Sequence, residues 1–143
     1  MGLSQYIFTP TCTDAMTSKM AYQVSCQTVP IFEQLNMTGR VFANNKKALA
    51  IVEGPSETVE RYFQALSSDV LLETILLHSS RKIQVREFSD FSVWINLTEE
   101  FGFTDKVRRL TAHSVKEALP ASPSAKLKIM ATAYLYGELL AAA

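Results

Sequence analysis

The stretch ALAIVEGPSETVERYF, residues 48–63, decides the fold. Ala48 to Val52 is an apolar run of strand length, and Glu53-Gly54-Pro55 breaks it. Ser56 then opens a helical pattern in which Val59, Phe63 and Leu66 share one face. Ser56 is placed to cap that helix, and Glu57 and Glu60 favour its positive end. Glu53 is expected to bond the backbone at the same helix N-terminus.

Working outward, RVFA (40–43) and ALAIV (48–52) flank Asn44-Asn45, which tolerate the positive φ of a tight hairpin. LSQYIFT (3–9) is rich in aromatic and branched residues and reads as a first strand, ended by Pro10. A helix is expected from Thr17 or Ser18, with Met20, Val24, Ile31 and Leu35 near helical spacing. Pro30 predicts a kink or an early end to it. Downstream, VLLETILLHSS (70–80) and REFSDFSVWINL (86–97) read as two more strands. The first is almost wholly apolar, so a central place in the sheet is expected for it.

The order β-α-β-β-α-β-β is α+β, and its first six elements match a split βαβ, ferredoxin-like arrangement. The pattern changes after Leu97. TDKVRRLTAHSVKEAL (104–119) reads as a helix capped by Thr104, PASPS (120–124) as a linker, and the remainder as a final helix carrying Leu127, Met130, Tyr134 and Leu139. The expected division is a domain over 1–97 and a helical extension over 98–143 that packs on the sheet.

Composition excludes several functions. Among 143 residues, 14 basic and 14 acidic side chains cancel, and no basic block marks a nucleic-acid binder. No apolar run is long enough to cross a membrane, and the N-terminus lacks the pattern of a signal peptide, so a cytoplasmic location is expected. Cys12 and Cys26 stand in no metal-binding or CxxC spacing and are expected to be reduced thiols. His78 and His113 have no positioned partner in sequence reach, which predicts structural roles. There is no phosphate-binding loop, no Gly-x-Ser-x-Gly and no metal cluster, so no enzyme is expected. Lys106, Arg108, Arg109 and Lys116 are assigned to a solvated face.

The segments GLSQYIFTP (2–10), NMTGRVFA (36–43), ALAIVEGPSETVERYFQALSSD (48–69) and REFSDFSVWI (86–95) together resemble the BLUF family of flavin-binding blue-light sensors. Val52-Glu53-Gly54 stands for the family's Leu-Glu-Gly, and Thr38-Gly39 for its Thr-Gly. Asp69 matches the aspartate after the second helix, and Arg86 with Phe88 matches Arg-x-Phe. The likeness spans roughly residues 2–97. It implies that the flavin pocket is formed by Phe8, Ile31, Phe32, Ala50, Phe91 and Val93. The family's photochemical tyrosine is Phe8 here, and its glutamine is Ala50. Its flavin-holding asparagines are Ile31 and Phe32, and its last-strand Trp and Met are Phe91 and Val93. The usual Arg-His pair is Leu71-Leu72. Trp94 lies three positions beyond the expected tryptophan site, on the opposite face of its strand.

Each buried flavin polar group left without a partner costs about 1–3 kcal/mol, so three lost partners cost about 3–9 kcal/mol. The resulting expectation is a non-catalytic signalling or interaction protein without conventional flavin photochemistry and with no cofactor. The alternative is a blue-light photoreceptor that holds FAD by unusual contacts. Likeness to short BLUF proteins further implies a homo-oligomer that signals to a protein partner.

Overall fold

The computed structural model describes residues 2–111 and 114–119, with Leu127 and Ala131 beyond them. The elements run β1 (Leu3–Cys12), α1 (Ser18–Gln34), β2 (Thr38–Ala43), β3 (Ala48–Pro55), α2 (Ser56–Ser67), β4 (Leu72–Ile83), β5 (Phe91–Ile95), β6 (Val107–Arg109) and α3 (Val115–Ala118). The strands form one sheet in the order β4-β1-β3-β2-β5-β6. β1 lies antiparallel to β3 and β4, β2 antiparallel to β3, and β5 parallel to both β2 and β6. This is the expected α+β, ferredoxin-like architecture.

Alternation along the strands divides the core between the two faces. On one face Phe8, Ala50, Val52, Phe91 and Val93 pack against Val29 and Phe32 of α1 and Val59 of α2. On the other, Ile7, Phe42, Leu49, Ile51 and Trp94 pack with Leu110, Ala118, Leu127 and Ala131. Trp94 thus faces away from α1 and α2, as its spacing predicted, and donates its indole N–H to Ser92 Oγ at 2.9 Å.

The Glu53 corner works differently from its expected role. Its carboxylate is fully buried and accepts from Gln5 Nε2 at 2.8 Å, from the Glu87 amide at 2.9 Å and from the Phe88 amide at 3.0 Å. Glu53 therefore ties β1 and the β4–β5 loop to β3 rather than capping α2. Arg81 Nε extends the network by donating to Gln5 Oε1 at 3.1 Å. Ser56 does not cap α2 either. It is the first helical residue, and its hydroxyl pairs with Ser4 Oγ at 2.7 Å. The close approach at Thr38-Gly39 needs its glycine: φ is +140° at Gly39, and a Cβ there would lie 1.8 Å from the Ile51 carbonyl oxygen.

Other expectations are corrected by tertiary context. α1 begins after Thr17, whose Oγ1 accepts from Met20 N, and it continues through Pro30 to Gln34. The hairpin turn does not use positive φ at Asn44 or Asn45. Instead, Asn44 Oδ1 accepts from the amides of Lys46 and Lys47 at 2.8 and 2.7 Å. β4 lies at one end of the sheet, not at its centre, with Leu76 and Leu77 exposed. Its register against β1 shifts twice, an irregularity common at sheet edges.

The helix expected over 104–119 divides into β6 and the short α3. Thr104 Oγ1 accepts from Lys106 N and Val107 N, closing a turn that delivers Val107 to the edge of β5. The basic side assigned to solvent makes specific contacts instead. Lys106 reaches Asp90, Arg108 lies 4.5 Å from the Trp94 ring centre, and Arg109 donates to the Leu97 carbonyl. His113, the linker and all of the expected final helix except Leu127 and Ala131 lie outside the described residues.

Candidate functional site

Strand register places four of the six expected pocket residues, Phe8, Ala50, Phe91 and Val93, on one face of the sheet. Phe8 pairs with Ala50, Ala50 with Val41, and Val41 with Val93, forming one row across β1, β3, β2 and β5. The adjacent row runs Tyr6, Val52, Gly39 and Phe91. Residues two apart on a strand share a face, so both rows point toward α1 and α2. Phe8 and Ala50 are 1% and 4% exposed, which leaves a dry seam with neither hydroxyl nor amide side chain.

Aromatic rings from the two helices close over these rows. Phe32 of α1 stacks on Phe91 with centroids 3.9 Å apart, and Tyr62 of α2 meets Phe32 edge-on at 4.9 Å. Phe63 packs edge-on against Tyr6 at 5.5 Å and Phe8 at 5.2 Å. Burial pushes the Tyr62 phenol up to about 12. Ile31 does not join this cluster: it is 49% exposed, while Phe32 points inward.

Beside the aromatic plug, an open cleft of about 170 Å³ remains between α1 and the sheet. Ala48 pairs with Ala43, and Ala43 with Ile95, so small side chains form much of its floor. Ala21, Val24, Ser25 and Thr28 of α1 form one wall. Pro10, Cys12 and Leu72 contribute the opposite side, and the Asn44–Lys47 hairpin supplies the rim. The cavity is slightly larger than one of about 150 Å³ that admits benzene, and its open side leaves room for a larger ligand to project.

The polar groups around the cleft are ordered. Ser25 Oγ donates to the Ala21 carbonyl and Thr28 Oγ1 to the Val24 carbonyl, each at 2.8 Å, leaving the hydroxyl oxygens able to accept. Burial raises the Cys12 thiol above its ordinary value, Asp69 adds to the rise, and the Lys46 charge opposes it. Both cysteines are free thiols. His78 Nε2 bonds Thr9 Oγ1 at 2.9 Å, in keeping with a structural role.

Of the remaining family positions, Leu72 lines the cleft and Leu71 is exposed. Asp69 Oδ1 accepts from Leu71 N at 2.9 Å, closing the turn after α2. Arg86 donates to Thr38 Oγ1 at 3.0 Å and to the Asn36 carbonyl at 2.9 Å, tying the β4–β5 loop to the start of β2. Sequence reasoning missed the cleft. Its available signal was the pair of alanines, Ala43 and Ala48, on helix-facing positions either side of the hairpin.

Residues 3–94 match the family model BLUF, described as sensors of blue-light using FAD. No curated protein sequence matches the chain. Among solved structures, BlrB, a BLUF protein in its dark state, is similar with a TM-score of 0.59 and 19% identity, over 92% of each chain. BlsA in its photo-activated state gives 0.62 and 14% identity, over 96% of this chain and 97% of that one. Klebsiella pneumoniae BlrP1 with FMN and cyclic diGMP gives 0.70 and 14% identity, over 94% of this chain but 35% of that one.

The family's use of FAD, with the FMN of the BlrP1 structure, corrects the expectation that no cofactor is involved. That expectation counted only the side-chain partners missing at Phe8, Ala50 and the helix positions. The neighbouring cleft has a small apolar floor, with the Ser25 and Thr28 hydroxyls at its wall and the Asn44–Lys47 hairpin at its rim. This donor set fits a flat aromatic body whose polar edge faces the mouth. It does not fit one whose polar edge is buried between Phe8 and Ala50. With a family match across residues 3–94, the chain belongs to the BLUF family, the sensors of blue light using FAD.

Proposed function

We propose that this protein is a flavin-binding signalling module that does not run the tyrosine–glutamine photochemistry expected from its family resemblance. The carrying observation is the Phe8–Ala50 pair, buried on neighbouring strands. Phe8 has no phenolic proton to give, and Ala50 has no amide with which to exchange hydrogen bonds. A bound flavin supplies visible absorption and an excited state. This chain's own residues supply a flat apolar seat, with Ala43, Ala48 and Ile95 beneath it and Ser25 and Thr28 beside it. Val93 lines that seat and packs in one cluster with Phe8, Phe32, Ala50 and Phe91, to which the proposed site extends, while exposed Ile31 is left at its outer margin.

The reading is non-catalytic and includes self-association and relay to a protein partner. β4 supports it as a sheet-edge strand with Leu76 exposed, a surface that a second copy can pair with. Light scattering of the purified chain tests that part. The test of the principal reading is an absorption spectrum of protein purified with excess flavin, recorded before and after blue light. A retained flavin band that does not shift red is the expected result. A reversible red shift overturns the loss of photochemistry, and colourless protein overturns flavin binding.

A further inference from the structure

The outer edge of β4 carries a further assignment, which rests on the self-association part of the reading above. β4 is the terminal strand of the sheet, so one of its edges has no strand beside it among the described residues. A long edge strand presents unpaired backbone groups to any second strand. Along it Leu76 is 59% exposed and Leu77 44%, and just beyond its two ends Val70 is 89% and Val85 75% exposed. Its charges are segregated, with Glu73 near the start and Arg81 and Lys82 near the end. Arg81 is committed to Glu87 at 2.6 Å, whereas Glu73 and Lys82 are exposed and have no ion pair among the described residues.

The irregularity within β4 limits how this edge can meet itself. Phe8 pairs with Leu77 and Ile7 with Ser79, so His78 is an extra residue and the alternation of faces shifts there. Thr74, Leu76, Ser79 and Arg81 all pair with alternate residues of β1 and share one face, while Ile75, Leu77 and Ser80 share the other. Two copies related by a two-fold axis normal to the sheet keep their faces aligned, so opposed residues must share a face. A register centred on Leu77–His78 meets that condition, opposing Leu76 to Ser79, Ile75 to Ser80 and Thr74 to Arg81. The same register opposes Glu73 to Lys82, twice by symmetry, and carries Val70 toward Val85. A slip of two residues keeps the faces but sets Glu73 against Ser80 or Gln84 instead. We propose that β4 is the docking surface for a second copy of this chain, paired antiparallel about Leu77–His78 so that Glu73 of each copy meets Lys82 of the other.

The experiment is sedimentation equilibrium of the wild-type chain, E73K, K82E and E73K/K82E, each purified with excess flavin and run over a range of concentrations. Wild type is expected to form a dimer. Each single reversal sets like charges opposite each other at both symmetric places and should weaken dimerisation at least about tenfold, and the double exchange should restore it to within about threefold of wild type. Far-ultraviolet circular dichroism should be unchanged in all three variants, because both residues are exposed. A dimer indifferent to both single reversals overturns this surface and leaves self-association standing. A dimer weakened by the single reversals but not restored by the double exchange overturns the Glu73–Lys82 register, and the proposal with it. A wild type that stays monomeric at every concentration overturns both the surface and self-association, and leaves flavin binding standing.

Discussion

Phe32 on α1 and Phe91 on β5 stack at 3.9 Å with their planes 23° apart, closing the space above the Tyr6–Val52–Gly39–Phe91 row. Both rings are at most 2% exposed, so the contact is part of the core. Phe32→Ala is expected to lower unfolding free energy by about 3–5 kcal/mol. Urea unfolding measures the loss. A cost below about 1 kcal/mol would mean that Tyr62 and Phe63 collapse into the space.

Glu53 anchors the β4–β5 loop through the amides of Glu87 and Phe88. Glu53→Gln replaces one acceptor oxygen by an amide donor in a site built from donors. Each buried donor left facing it is expected to cost about 1–3 kcal/mol. Hydrogen exchange at Glu87 and Phe88 should accelerate more than exchange in the middle of β1. Uniform acceleration across the sheet would instead assign the residue to global stability alone.

The fold was largely legible because its strongest signals are local. The Glu53-Gly54-Pro55 break follows an apolar strand and precedes a helical face, and the BLUF resemblance grouped Phe8, Ala50, Phe91 and Val93, which the strand register puts on one side. Parity also sent Trp94 to the other side. Ile31 and Phe32 were not separable because adjacent helical residues differ by about 100° around the axis and no motif anchors that rotation. β6 was hidden because Val107–Arg109 is a short strand in a stretch with helical spacing, and its pairing with Val93–Ile95 is decided by tertiary contact. The cleft was hidden for a related reason. It depends on the smallness of Ala43 and Ala48 and on contacts from the hairpin to Met16 and Cys12.

Asp90 gives the protein an acid-sensitive tie between the β4–β5 loop, β2 and the approach to β6. Its carboxylate meets Lys106 Nζ at 2.8 Å and Arg40 at 2.9 Å. The Lys106 hydrogen bond, joined by Arg40, holds its pKa below the ordinary 3.8 despite opposing burial. A depressed folded-state pKa contributes stability above the unfolded value, and that contribution is lost as pH falls through the folded value. Asp90→Asn should therefore lower Tm modestly at neutral pH, with the difference from wild type shrinking in acid below 3.8. A difference that stays constant with pH would assign the loss to packing rather than to ionisation. The carboxylate is partly exposed, so added salt should narrow the neutral-pH difference as well.

Phe8 and Ala50 are adjacent across β1 and β3, so both polar groups absent from the seam can be introduced at one place. Phe8→Tyr adds a phenolic hydroxyl, and Ala50→Gln adds an amide on the neighbouring strand. Both sites are nearly fully buried, and the added volume is expected to cost about 1–3 kcal/mol at each. The double variant, loaded with flavin, is expected to gain a light-induced red shift that wild type lacks, with Phe8→Tyr alone giving less. Difference absorption spectra under blue light check this, with urea unfolding run on the same samples to confirm a folded protein. A folded, flavin-loaded double variant that stays inert would transfer the block from the missing polar groups to the Phe32–Phe91 stack. If that stack then holds the ligand's polar edge away from the seam, adding Phe32→Asn should restore the response.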